Sequence, residues 1–132
     1  MYKKILVADY IQHGRDIIGA LRNARFPITE AFWYDFPELD EWRLILASPI
    51  VHVMGPLEAY TLLNRVLSEI GNPLSVSDIS LFSPVSSEYR ALRIAALGPG
   101  RLRAGPATGR RKQDISFNDA YLYSLPSLVH AR

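Results

Sequence analysis

At 132 residues, with 48% apolar and 21% charged side chains, the chain has the make-up of one globular domain that can bury a core without staples. It contains no cysteine, which excludes disulfides, thiolate metal sites and a cysteine nucleophile. The net charge of +2 hides a division: residues 1–89 hold seven basic and eleven acidic residues, net −4, and residues 90–132 hold eight and two, net +6.

In chain order, Met1–Lys4 leads into Ile5-Leu6-Val7-Ala8, an apolar run too short for a secretion signal and closed at once by Asp9. No window approaches the ~20 apolar residues of a membrane helix, so a cytoplasmic protein without a membrane partner is expected. Lys3–Asp9 resembles the first strand of response-regulator receiver domains over a short stretch. The likeness stops there, because Tyr10 stands where the acidic pair would continue. The comparable later run, Leu44-Ile45-Leu46-Ala47, ends in Ser48 rather than in a phosphoacceptor aspartate.

Asp9–Ala24 has the periodicity of an amphipathic helix, with Ile11, Ile17, Ile18 and Leu21 near one face. Gly14 and Gly19 weaken it by ~1 kcal/mol each against alanine, and Phe26-Pro27 ends it. Ile28–Phe36 and Trp42–Ala47 are β-prone and flank the turn-like Pro37–Glu41, the pattern of a hairpin. Phe32, Tyr34 and Phe36 share one face and Ala31 and Trp33 the other, which predicts a strand covered at least in part on both sides. These aromatics and Trp42 read as core plus an interface, and a homodimer or other protein partner is expected from them.

Gly55-Pro56 opens a second helix with the stripe Ala59, Leu62, Leu63, Val66, Leu67 and Ile70, stopped by Gly71 and Pro73. Val76–Phe82 reads as a strand. Ser86 or Ser87 caps a third helix to about Leu97, with Glu88 in its first turn. Ile115–Leu125 is the last predicted strand, closed by Pro126, and 126–132 form a loose tail. The order α-β-β-α-β-α-β over residues 1–132 predicts a single-domain α+β or α/β sandwich. Its mixed sheet should have about four strands, with two crossover helices packed on it.

Between Glu88 and Asp114 lie Arg90, Arg93, Arg101, Arg103, Arg110, Arg111 and Lys112 and no acid. Their centre, Gly98–Gln113, is not a nucleotide-binding P-loop. Its glycines are one residue too close, no Lys-Ser/Thr pair follows, and it feeds a strand rather than a helix. Arginines spaced by Gly, Ala and Pro suit a phosphate backbone, with Tyr121 or Tyr123 available to stack on bases. They equally suit the acidic cluster Glu30, Asp35, Glu38, Asp40 and Glu41 of the same or a neighbouring chain.

The expected function is therefore association without catalysis, through the basic C-terminal half, with a protein partner, a second copy or nucleic acid. One alternative is a metal-dependent phosphodiesterase using Glu30, Asp35 and Glu41, with Arg43 as the positive group. Another is a structural accessory subunit. His13, His52 and His130 are dispersed, and Ser48, His52 and Asp78 lack the glycines of a nucleophile elbow. No cofactor or resident metal site is expected.

Overall fold

The computed structural model describes residues 8–98 and 113–125. Helix α1 (Ala8–Asn23) precedes strands β1 (Glu30–Phe36) and β2 (Glu41–Ala47). A short helix α2 (Ile50–Met54) leads into α3 (Pro56–Ile70), a 3₁₀ turn at Val76–Asp78 and strand β3 (Ile79–Phe82). Helix α4 (Ser87–Leu97) is followed by β4 (Ile115–Ser116) and β5 (Ala120–Leu122). The sheet order is β3-β2-β1-β5-β4, with β2 and β3 parallel and the other neighbours antiparallel. Helices around a mixed sheet make this an α+β fold, as the element pattern predicts.

Alternation along the central strands builds two cores. Ala31 and Trp33 of β1, Leu44 and Leu46 of β2, and Ile79 and Leu81 of β3 face α1 and α3, meeting Ile17, Leu21, Leu63 and Leu67. Phe32, Tyr34, Ile45, Ala47, Ala120 and Leu122 face the other way and are covered by Tyr89, Ala96 and Leu97 of α4. Each fully buried Leu, Ile or Phe contributes ~1.5–3 kcal/mol of transfer free energy, so consecutive buried residues in β2 serve both layers. The sheet is not left half open.

Three details differ from the sequence pattern. Among the described residues the sheet has five strands, because Ile115–Leu125 is not one strand. The Phe117 amide donates to the Ala120 carbonyl at 2.7 Å and closes a turn through Asn118 and Asp119, both turn formers. The first part of Val76–Phe82 is a 3₁₀ turn, because Ser75 and Asp78 cap each other there. Among the described residues, one connection returns to a parallel neighbour. That is β2 to β3 through α2 and α3; α4 instead carries the chain from one sheet edge to the other.

The ends of the helices follow local chemistry. Gly71 ends α3 in the left-handed conformation, φ 64°, and its amide donates to the Leu67 and Ser68 carbonyls. Ser86 caps α4 by accepting the Tyr89 amide at 3.1 Å. Gly14 has a packing reason. Trp33 Nε1 donates to the Tyr123 hydroxyl at 2.8 Å, and that hydroxyl donates to the Ile11 carbonyl at 2.7 Å, directly against the Gly14 backbone. A Cβ there would collide with the Tyr123 hydroxyl and crowd Trp33 Nε1. Among the described residues, no helix is long and apolar enough to cross a membrane.

Candidate functional site

Glu30 begins β1 opposite Ala47, at the end of the sheet where β2 finishes, and shares the face of Phe32 turned toward α4. Tyr89 and Arg93 are one helical turn apart on α4, so both reach the same carboxylate. Arg93 Nε lies 2.6 Å from Glu30 Oε1 and Nη2 lies 2.9 Å from Oε2, a two-pronged pair, and the Tyr89 hydroxyl also donates to Oε1. The Glu30 and Arg93 side chains are 14% and 24% exposed, so the pair is largely removed from water. Burial, reinforced by the Glu30 charge, pushes the Tyr89 phenol well above its ordinary range. The hydrogen bond to Glu30 raises the Arg93 guanidinium, against the opposing effect of burial. Glu30 and Arg93, candidates for opposite kinds of site, neutralise each other and fasten α4 across the sheet.

The other candidate carboxylates lie elsewhere. Asp35 is buried near the far end of β1, on the opposite face from Glu30. Five residues of strand separate the two, or ~17 Å. Glu41, opposite Phe36 at the start of β2, pairs with Arg43 at 3.3 Å. Arg43 is in turn committed to the neighbouring strand, donating to the Ser77 carbonyl at 2.6 Å and to Ser80 Oγ at 3.1 Å. The three acids do not converge. Among the described residues, no three His, Asp or Glu side chains gather as a metal-ligand set.

The hairpin end of the sheet is acidic. The Asp35 amide donates to the Asp119 carbonyl at 2.9 Å, which sets the β4–β5 turn beside the β1–β2 turn. Burial raises the Tyr34 phenol, and the charges of Asp119, Glu38 and Asp35 raise it further.

Of the basic candidates, Arg90 is exposed on α4, while Arg101, Arg103, Arg110, Arg111 and Lys112 lie outside the described residues. The two roots of that stretch are described. Gly98 ends α4 at φ 90°, its amide donating to the Ile94 carbonyl. Asp114 is held from three sides: Oδ2 accepts Arg15 Nη2 at 2.8 Å and the Tyr121 hydroxyl at 2.6 Å, and Oδ1 accepts the Ser124 amide at 2.7 Å. Burial works to raise this carboxyl, but the bonds from Tyr121, Ser124 and Arg15 outweigh it and hold it below its ordinary value. The role of Asp114 was not legible in the sequence, where it only closes the acid-free run. Its ion-pair partner Arg15 is 99 residues away in α1.

The histidine and serine candidates also sort by strand ends. His52 Nδ1 is 2.7 Å from Ser83 Oγ, linking α2 to the loop after β3. Ser48 is fully buried, and its Oγ accepts the Ile50 amide instead. Asp78 sits at the opposite end of β3, where it caps the 3₁₀ turn, so Ser48, His52 and Asp78 do not form a relay. The contact that exists, His52 with Ser83, pairs residues 31 apart and carries no local motif. No family model, no curated protein and no solved structure matches the chain.

Proposed function

We propose that this is a non-enzymatic association domain whose basic C-terminal half engages an anionic partner, nucleic acid being the form tested first. The observation that carries the reading is the disposition of charge around α4. Glu30 takes up Arg93, and Arg15 takes up Asp114, the first acid beyond the basic run. Arg90, Arg101, Arg103, Arg110, Arg111 and Lys112 are left with no acid in their own stretch. A rigid scaffold carrying a charged connection between fixed roots is the usual arrangement of a binding loop. Guanidinium groups favour phosphate oxygens there.

Fluorescence anisotropy with labelled single-stranded RNA and duplex DNA in rising salt tests this. Affinity should fall linearly on a log–log plot, with a slope of about −0.9 per duplex phosphate neutralised. Replacing Arg110, Arg111 and Lys112 by alanine should weaken binding and flatten that slope. Absent or salt-insensitive binding to both nucleic acids rejects the nucleic-acid form.

A second reading, head-to-tail self-association, draws on the acidic hairpin end. Glu38, Asp40 and Asp119 lie at the end of the sheet opposite Asp114 and the root of the basic stretch. Contacts of that polarity repeat from copy to copy. Sedimentation velocity at low and high salt tests it, and a monomer at every concentration and salt level sinks it.

A further inference from the structure

The end of α3 and the second half of α1 border an open cavity of ≈ 650 Å³. That volume lies within the ~300–1,000 Å³ of small-molecule sites. Asp16 and Asn23 contribute polar groups from α1, and Ala20, Ile70 and Pro73 contribute apolar wall. Ile70 is 42% exposed there, a large apolar side chain left uncovered beside the opening.

Gly19 is the independent observation. It lies inside α1 and lines the cavity, and a Cβ built on it meets nothing within 4 Å. Gly14 of the same helix has no room for a side chain; Gly19 has ample room. A mid-helix glycine disfavours the helix, so here a local rule is broken without any gain in packing. Gly19 is exposed at the cavity, and its bare backbone allows close approach of a ligand.

The charge around the cavity selects the ligand. Asp16 keeps acceptor capacity beyond its single bond from Gln12 Nε2 at 2.9 Å. The C-terminal end of α3, where Gly71 lines the cavity, adds the partial negative charge of a helix terminus. Arg15, which also lines the cavity, is bound to Asp114 at 2.8 Å. We propose that this cavity binds a small organic cation: an ammonium or guanidinium group held by Asp16 and the α3 terminus, on a compact apolar body resting against Gly19, Ala20 and Ile70.

Three probes sharing one body and differing in charge test the proposal: tyramine, its neutral alcohol tyrosol, and anionic 4-hydroxyphenylacetate. In two-dimensional amide NMR of the full chain, tyramine should shift the Asp16, Gly19, Asn23 and Gly71 signals with a Kd of about 1 mM or tighter. Tyrosol should bind about tenfold more weakly, and the anion more weakly still. Asp16→Asn should remove the preference for tyramine over tyrosol. Gly19→Leu should raise Tm, as the better helix former, and abolish the tyramine shifts; the raised Tm shows that loss of binding is not loss of fold. Equal shifts from all three probes, no shifts from tyramine up to about 10 mM, or unchanged tyramine binding by Gly19→Leu would each overturn the assignment.

Discussion

Gly14 and Gly19 are separated by little more than one turn of α1, yet they should respond oppositely to the same change. Gly14→Ala drives a methyl into the Tyr123 hydroxyl, which is held between Trp33 Nε1 and the Ile11 carbonyl and cannot move freely. Such overpacking costs about 1–3 kcal/mol, more than the helix gains from alanine. Gly19→Ala meets open space and should stabilise the protein by about 0.5–1 kcal/mol. Urea denaturation of both variants reads the two signs directly; a stabilised Gly14→Ala would mean the Tyr123 hydroxyl does not lie against α1. Helix propensity treats the two glycines alike because it is a local quantity. What separates them is Tyr123, whose hydroxyl bonds a carbonyl 112 residues away.

At the scale of the element, α4 illustrates what periodicity does and does not reveal. Its cap is legible as Ser86 or Ser87, and the structure makes it Ser86, which accepts the Tyr89 amide, so Ser86→Ala should cost about 1 kcal/mol in thermal or urea unfolding. The spacing of Tyr89 and Arg93 on one face is legible too. That the face meets Glu30 is not, because the pairing joins residues 63 apart in sequence. Glu30→Ala strands the Arg93 guanidinium and the Tyr89 hydroxyl in a site largely closed to water, at a cost of about 2–3 kcal/mol. The double variant Glu30→Ala, Arg93→Ala should lose less than the sum of the two single changes. A double-mutant cycle with additive losses would show the pair to be energetically idle. The split of Ile115–Leu125 has the same origin. Its β-propensity is continuous enough to suggest one strand, and the Phe117 to Ala120 turn is closed by Asn118 and Asp119.

For the whole molecule, charge organises the response to pH. The folded carboxyl of Asp114 lies below its ordinary 3.8, so the stability it contributes is full above about pH 4 and is lost as pH falls through the folded value. Asp114→Asn should flatten the acid limb of a stability–pH curve while leaving the neutral plateau lower. The buried phenols of Tyr89 and Tyr123 are shifted the other way, upward from 10.0. Their contribution is full below pH 10 and declines as pH rises beyond it. In a spectrophotometric titration, these two of the seven tyrosines should ionise only as the protein unfolds. The same division of charge underlies the proposed association, with an acidic hairpin end and a basic stretch rooted at Asp114.

Sequence by itself determined a class with helices packed on a mixed sheet, the helix stop at Gly71, a serine cap at Ser86 or Ser87, the two-faced burial of β1 and the imbalance of charge between the halves. Each of these depends on periodicity, on a terminus or on composition, which neighbouring residues settle among themselves. Tertiary structure alone decided the β3-β2-β1-β5-β4 order and the division of the last strand. It also decided the marriage of Arg93 to Glu30 and of Arg15 to Asp114, and the separation of Glu30, Asp35 and Glu41. Those outcomes depend on which distant surfaces meet once the apolar faces are buried. A charge, unlike an apolar stripe, carries no local sign of the partner it will find.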